Sequence, residues 1–117
     1  MTTRMIVQGY FDRLSKRDGW ESAFADDVEF TSFTSPVKEV RGRQPFLEST
    51  KRFYSGIRSF EVRDLIVDGD RAVALTRYQI GGPGGAPFSS DVAEVFSVAN
   101  GKITSFAIYF DSAPFPK

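Results

Sequence analysis

The sequence predicts an α+β domain in which helices gather on one face of a curved antiparallel sheet. Three observations carry this. Apolar residues recur at helical spacing only in the N-terminal half. From residue 59 onward the chain reads as successive β-branched and aromatic runs. Short Gly-, Asn- and Asp-containing breaks separate those runs at hairpin spacing. The 117 residues, 41% of them hydrophobic and 12 of them Phe, suffice for one domain over 1–117 with one core.

Residues 3–17 are expected to form the first helix, because Ile6, Val7, Tyr10, Phe11 and Leu14 fall on one face. Asp18-Gly19-Trp20-Glu21 has the form of a capping box and predicts a short helix over 19–24. Residues 27–34 read as a strand. A second long helix is expected over 44–56, with Pro45 in its first turn and Gly56 as its terminator. Strands follow at 59–67, 71–80, 88–98 and 102–110. Asp68-Gly69-Asp70 and Asn100-Gly101 mark tight hairpins between them. Gly81-Gly82-Pro83-Gly84-Gly85-Ala86-Pro87 is a hairpin loop that could also serve as a lid.

Composition removes several chemistries. Fifteen basic residues balance 15 acidic ones, so the field that sequence-blind nucleic-acid binding needs is missing. There is no Cys and no His, which excludes thiolate catalysis, zinc–thiolate sites, a serine–histidine triad and imidazole ligation. No metal or other cofactor is expected. No apolar run reaches the length of a signal peptide or a membrane span, so the expected location is the cytoplasm, away from membranes.

Strand faces decide which residues can do chemistry. A three-residue turn ending in a Gly101 bulge would pair Val98 with Lys102. It would also collect Val92, Glu94, Phe96, Val98, Phe106, Ile108 and Phe110 on the helix-covered side. The other side then carries Ala93, Val95, Ser97 and Ala99 beside Ile103, Ser105, Ala107 and Tyr109, none of them charged. An uncharged outward face predicts a cover, and a second copy of the chain is the simplest one, giving a homodimer through the outer sheet face. For 59–67 two parities remain open. Either Phe60, Val62, Asp64 and Ile66 face inward, or Glu61, Arg63, Leu65 and Val67 do.

Four strings add a resemblance that spans nearly the whole chain. They are Phe24-Ala25-Asp26-Asp27-Val28, Arg41-Gly42-Arg43, Asn100-Gly101-Lys102-Ile103 and Tyr109-Phe110-Asp111. In these and in its element order the chain resembles the nuclear transport factor 2-like superfamily, especially its SnoaL-like and ketosteroid-isomerase-like branches. The resemblance implies a cone: a bent sheet wrapped around three N-terminal-half helices, with an apolar pocket at its wider end. It does not imply one reaction, because the superfamily includes isomerases, cyclases, epoxide hydrolases, dehydratases and non-catalytic binders.

Transferred residue by residue, the resemblance places Tyr10 at the helix-one tyrosine of ketosteroid isomerases and Glu94 near their oxyanion-hole acid. Ser32 stands where their base would be, and a lone hydroxyl does not abstract a proton at neutral pH. Arg77 matches the arginine of limonene epoxide hydrolases, but Gln79 and Ile108 replace their two aspartates. A scytalone-dehydratase-like route needs the missing His. What remains is a polar set of Tyr10, Ser32, Arg77, Gln79 and Glu94. Its expected wall combines Val28, Phe30 and Leu75 with Phe96, Phe106, Ile108 and Phe110. A symmetric 81–87 loop is expected to bring Arg77 opposite Glu94, either as a self-satisfying ion pair or as a ligand anchor. Asp64, if inward, joins Arg77 as a further carboxylate.

The expected function is binding of a small hydrophobic molecule in a SnoaL-like pocket. One alternative is a lyase, isomerase or hydrolase acting on a small cyclic or polyketide-like substrate through Glu94 or Asp64 with Tyr10. Another is a non-catalytic dimeric association module.

Overall fold

The computed structural model describes residues 2–34, 37–81, 86–111 and 113. The elements run α1 (Thr3–Lys16), a 3-10 turn (Trp20–Ala23), β1 (Phe24–Ser32), β2 (Lys38–Arg41), α2 (Arg43–Ser49) and α3 (Lys51–Gly56). They continue with β3 (Ile57–Asp68), β4 (Arg71–Ile80), β5 (Phe88–Ala99) and β6 (Lys102–Phe110).

The strands form one six-stranded sheet in the order β2-β1-β6-β5-β4-β3. This corrects the expected antiparallel cone in two respects. β1 runs parallel to β6, so the sheet is mixed. The sheet is also not strongly curled or closed around the helices, and β2 and β3 remain its edges. Alternation along a strand reports which face is buried. It does not report which distant strand lies alongside, nor in which direction.

α1 begins where the Thr2 hydroxyl accepts the Met5 amide at 3.1 Å. It ends at Arg17, in the left-handed region at φ 56°. The Arg17 guanidinium then donates to the Tyr54 and Ile57 carbonyls, tying the end of α1 to the end of α3. The apolar stripe of α1 packs across β3, β4, β5 and β6. The expected capping box does not form: the Trp20–Ala23 turn starts at Gly19 with no side-chain cap.

The single helix expected over 44–56 is bent at Thr50. The Thr50 hydroxyl donates to the Phe46 carbonyl at 2.8 Å, the back-bonding pattern that bends helices. The main-chain bonds Thr50 N to Phe46 O and Tyr54 N to Thr50 O flank the bend. β2 was not expected, since Lys-Glu-Val-Arg offers no alternation. It pairs antiparallel with β1, and Arg41 meets Glu29 across the pair.

Two bulges set the faces. At the last hairpin Asn100 and Gly101 both take positive φ, 52° and 78°, and Ala99 pairs with Lys102. This is the two-residue turn, not the expected three-residue one. The register shifts between Ser97 and Val98, leaving Thr104 as the extra residue, so Phe96 still faces Phe106 and Glu94 faces Ile108. Ile103 therefore pairs with Val98 in the core rather than lying on the outer face. The second shift, between Val62 and Asp64, resolves the parity of β3 in favour of neither alternative. Phe60 and Val62 pair with Tyr78 and Thr76, whereas Leu65 and Val67 pair with Ala74 and Ala72.

Candidate functional site

A cavity of about 730 Å³ opens between the inner face of β1, β5 and β6 and the bent α2–α3 segment. Phe30 and Ser32 of β1 line it, with Phe106, Ile108 and Phe110 of β6 and Val92 and Glu94 of β5. Ser49, Thr50, Phe53 and Tyr54 face it from the helical side, and Thr34, Val37 and the exposed Lys38 and Glu39 of β2 also line it. The bend at Thr50 falls among the four lining residues of the helical segment, Ser49, Thr50, Phe53 and Tyr54.

Glu94 is the inner carboxyl of this cavity, 2% exposed. The Tyr78 hydroxyl donates to its Oε2 at 2.8 Å, while its Oε1 makes no hydrogen bond of standard geometry within the protein. Burial pushes the Glu94 carboxyl up from 4.5 to about 7, against the opposing pull of the Thr76 and Tyr78 hydroxyls. Tyr10 and Tyr54 share a hydrogen bond of 2.6 Å between their hydroxyls. Burial raises the hydroxyl pKa of Tyr10, Tyr54 and Tyr78 above the ordinary tyrosine value, so all three are neutral near pH 7. Glu94 thus changes charge near neutrality among neutral phenols.

The structure brings together Ser32, Glu94, Phe30, Phe106, Ile108 and Phe110 at one cavity. Phe96 stands behind that wall, fully buried and stacked on Phe106 with centroids 5.0 Å apart. Tyr10 is fully buried amid Phe11, Phe24, Phe96 and Phe106, and it reaches the cavity only through Tyr54.

The other expected members lie elsewhere. Arg77, Gln79 and Leu75 occupy the opposite face of β4 from Tyr78 and Thr76. Ile80 pairs with Phe88, and that symmetric register sets Arg77 opposite Asp91 and leaves Glu94 opposite Ala74. The Arg77–Glu94 pair is therefore absent. Arg77 instead forms a two-pronged ion pair with Asp91, at 2.8 and 3.0 Å, on the solvent side. Gln79 accepts from Ser89, and Leu75 is 41% exposed. Asp64, opposite Leu75 after the register shift, is exposed and does not line the cavity, and the carboxylates that act on Arg77 are Asp91 and Glu61. Residues 82–85 of the Gly/Pro loop lie outside the described residues.

Thr50 and the β2 pair Lys38 and Glu39 were missed; Val92 was expected on the inward face but not at the site, and the sequence reads Phe53 and Tyr54 as mostly core, with one residue of their helix at the mouth. The helical spacing of Phe53 and Tyr54 marks a buried side equally well whether that side meets core or cavity.

Residues 7–106 match the family model of the SnoaL-like domain. The chain belongs to this family. It is a SnoaL-like protein. No curated protein matches it. Among solved structures, an NTF2-like protein of unknown function from Burkholderia pseudomallei K96243 is similar at 22% identity and a TM-score of 0.81. That match covers 97% of this chain and 95% of the other. A candidate ketosteroid isomerase from Kribbella flavida DSM 17836 is similar at 21% identity and a TM-score of 0.77, covering 98% of this chain and 82% of the other. A candidate SnoaL-like polyketide cyclase from Mesorhizobium loti is similar at 21% identity and a TM-score of 0.76, covering 93% and 99%. These likenesses establish the fold of the SnoaL-like chain and not its chemistry. Among the described residues no helix is long and apolar enough to cross a membrane.

Proposed function

We propose that this SnoaL-like protein binds a small hydrophobic molecule in the cavity beneath the α2–α3 bend and anchors its polar group at Glu94. The observation that carries this reading is Glu94 itself. It is a buried carboxyl with one oxygen unpartnered in the protein, on the wall of an otherwise aromatic and aliphatic cavity of about 730 Å³. An unsatisfied buried acceptor is costly for folding alone, and a ligand that meets it recovers that cost on binding.

The test is titration with small aromatic alcohols and ketones, read by the fluorescence of Trp20. That residue is the chain's one tryptophan, and it stacks on the cavity residue Tyr54 at 4.0 Å. Ile108→Trp fills the cavity and is expected to abolish the saturable signal measured by calorimetry. Equal affinity in that variant refutes the site.

A second reading is favoured by the position of the Glu94 pKa. A carboxyl near 7 gives and takes protons at neutral pH, which suits acid–base chemistry on the bound molecule. Glu94→Gln then retains binding and loses turnover.

We also propose that two copies pair through the outer sheet face, where Leu75 and Tyr109 are exposed and Phe33 stacks on Tyr109 at 4.5 Å. Ala93→Glu or Ala107→Glu is expected to give monomer by sedimentation, and an unchanged dimer mass rules out that seam.

A further inference from the structure

We infer that the ligand taken by this cavity is a hydrophobic amine, its ammonium group held by Glu94 and its apolar body by the surrounding rings. This rests on the reading that the cavity binds a small hydrophobic molecule, and it adds the chemical class.

The Tyr78 hydroxyl donates to Glu94 Oε2, and Oε1 makes no hydrogen bond of standard geometry with the described residues, although the Thr76 hydroxyl beside it also pulls on the carboxyl. A carboxylate in a dry interior needs a cation or further donors to be tolerated. The arginines near this region are committed elsewhere. Arg17 donates to the Tyr54 and Ile57 carbonyls, Arg77 is held by Asp91 on the outer face, and Arg43 contacts Asp26 and the Phe24 carbonyl. The cation lining the cavity is Lys38, exposed on edge strand β2 and next to Glu39, which lines it too.

The walls point the same way. Phe30, Phe53, Tyr54, Phe106 and Phe110 surround the space, and ring faces attract a cation. An anionic ligand would meet those faces and the carboxylate together. A primary alkylammonium supplies several hydrogens for Oε1 and neutralises the buried charge with no change to the protein.

The groups facing Glu94 make the linkage simple. Tyr10 of α1, Tyr54 of α3 and Tyr78 of β4 stay protonated, while Lys38 and Glu39 of β2 lie in solvent with ordinary exposure. With no His in the chain, Glu94 is the group at this cavity that changes charge between pH 5.5 and 8.5, and an alkylammonium, like Lys, keeps its proton there.

The experiment compares 4-phenylbutylamine with its neutral counterpart 4-phenylbutan-1-ol by isothermal titration calorimetry on the full chain. At pH 8.5 the amine is expected to bind at least about tenfold more tightly than the alcohol, the scale of one desolvated charge pair. That preference is expected to shrink toward parity at pH 5.5 in the wild type, and at pH 8.5 in Glu94→Gln. The wild-type pH comparison needs no variant to fold. If the alcohol binds as well as the amine at pH 8.5, the amine class is overturned while the pocket reading stands. If the amine preference is the same at both pH values, Glu94 is not its anchor and the inference is overturned. If neither probe binds at millimolar concentration to folded protein, the inference falls together with the pocket reading beneath it.

Discussion

Replacing Glu94 by Gln removes a buried ionisable group while preserving its shape and its ability to accept from Tyr78. The folded protein holds the Glu94 proton up to about pH 7, whereas the unfolded chain releases it near 4.5. The sign follows from linkage. Below 4.5 both states carry the proton, and the group contributes its full share to stability. Between 4.5 and 7 the unfolded state gains by releasing a proton that the folded state retains, so stability falls as pH rises. Above 7 both are ionised and the loss is complete. At about 1.4 kcal/mol per pH unit, the interval amounts to on the order of 3 kcal/mol, a large part of the stability of a domain this size. Gln does not titrate. The stability of Glu94→Gln relative to wild type is therefore expected to rise by about 3 kcal/mol between pH 4 and pH 8. Urea unfolding followed by Trp20 fluorescence at a series of pH values reads this difference, and the pH dependence of all other groups cancels in it. A difference that stays level across the series refutes the argument, since Glu94 would then titrate alike in both states and could not be desolvated.

Tyr78→Phe removes the hydroxyl that donates to Glu94 Oε2 at 2.8 Å. It is expected to cost about 1–3 kcal/mol and to move the midpoint of the Glu94 carboxyl band, followed by infrared titration, to higher pH. Tyr10→Phe breaks the Tyr10–Tyr54 bond and should cost about 1 kcal/mol in urea unfolding. Its effect on ligand affinity should be smaller than that of Tyr54→Phe, because Tyr54 lines the cavity and Tyr10 does not. Arg77→Met should leave the urea midpoint nearly unchanged and show no coupling to Glu94→Leu in a double-mutant cycle, since its partner is an exposed aspartate on the other face. Phe96→Ala should lose about 3–5 kcal/mol of unfolding free energy, against under about 1 kcal/mol for Leu75→Ala.

How far the site was legible depends on where each signal resides. The inward face of β5 and β6 could be read because large residues sit on one side of both strands, and that demand survives whichever turn is made. The route there differed: the hairpin took its two-residue form and Thr104 absorbed the mismatch. In β4 the same criterion fails. Ala72, Ala74 and Thr76 on the inner side are smaller than Val73, Leu75 and Arg77 on the outer. Side-chain size in that half of the strand points away from the core, although Ala72, Ala74 and Thr76 are the buried side. In β3 the alternation itself is broken by a bulge, so no single parity describes the strand. The parallel pairing of β1 with β6 and the short β2 leave no local trace at all.

The same failure in β4 explains why Glu94 has the character it does. Had Arg77 faced inward, the carboxyl would have carried its own counter-ion and remained ionised, and the cavity would have contained a neutral, satisfied pair. With Arg77 outside, bound to Asp91, the carboxyl of the interior has phenol and threonine hydroxyls beside it and, among the described residues, no paired cation. A fold under selection for stability alone has a simple remedy at that position, an apolar residue matched to Ile108 across the strand pair. Keeping an acid there instead gives up stability at every pH above about 7. What that position gains in return is a charge that a bound molecule can complete. Glu94→Leu separates the two quantities directly. It is expected to raise the urea midpoint at pH 8 and to abolish the preference of the cavity for a cationic ligand in the same protein. A Leu variant that is less stable at pH 8 would show that the carboxyl is held for folding and not for what the cavity receives.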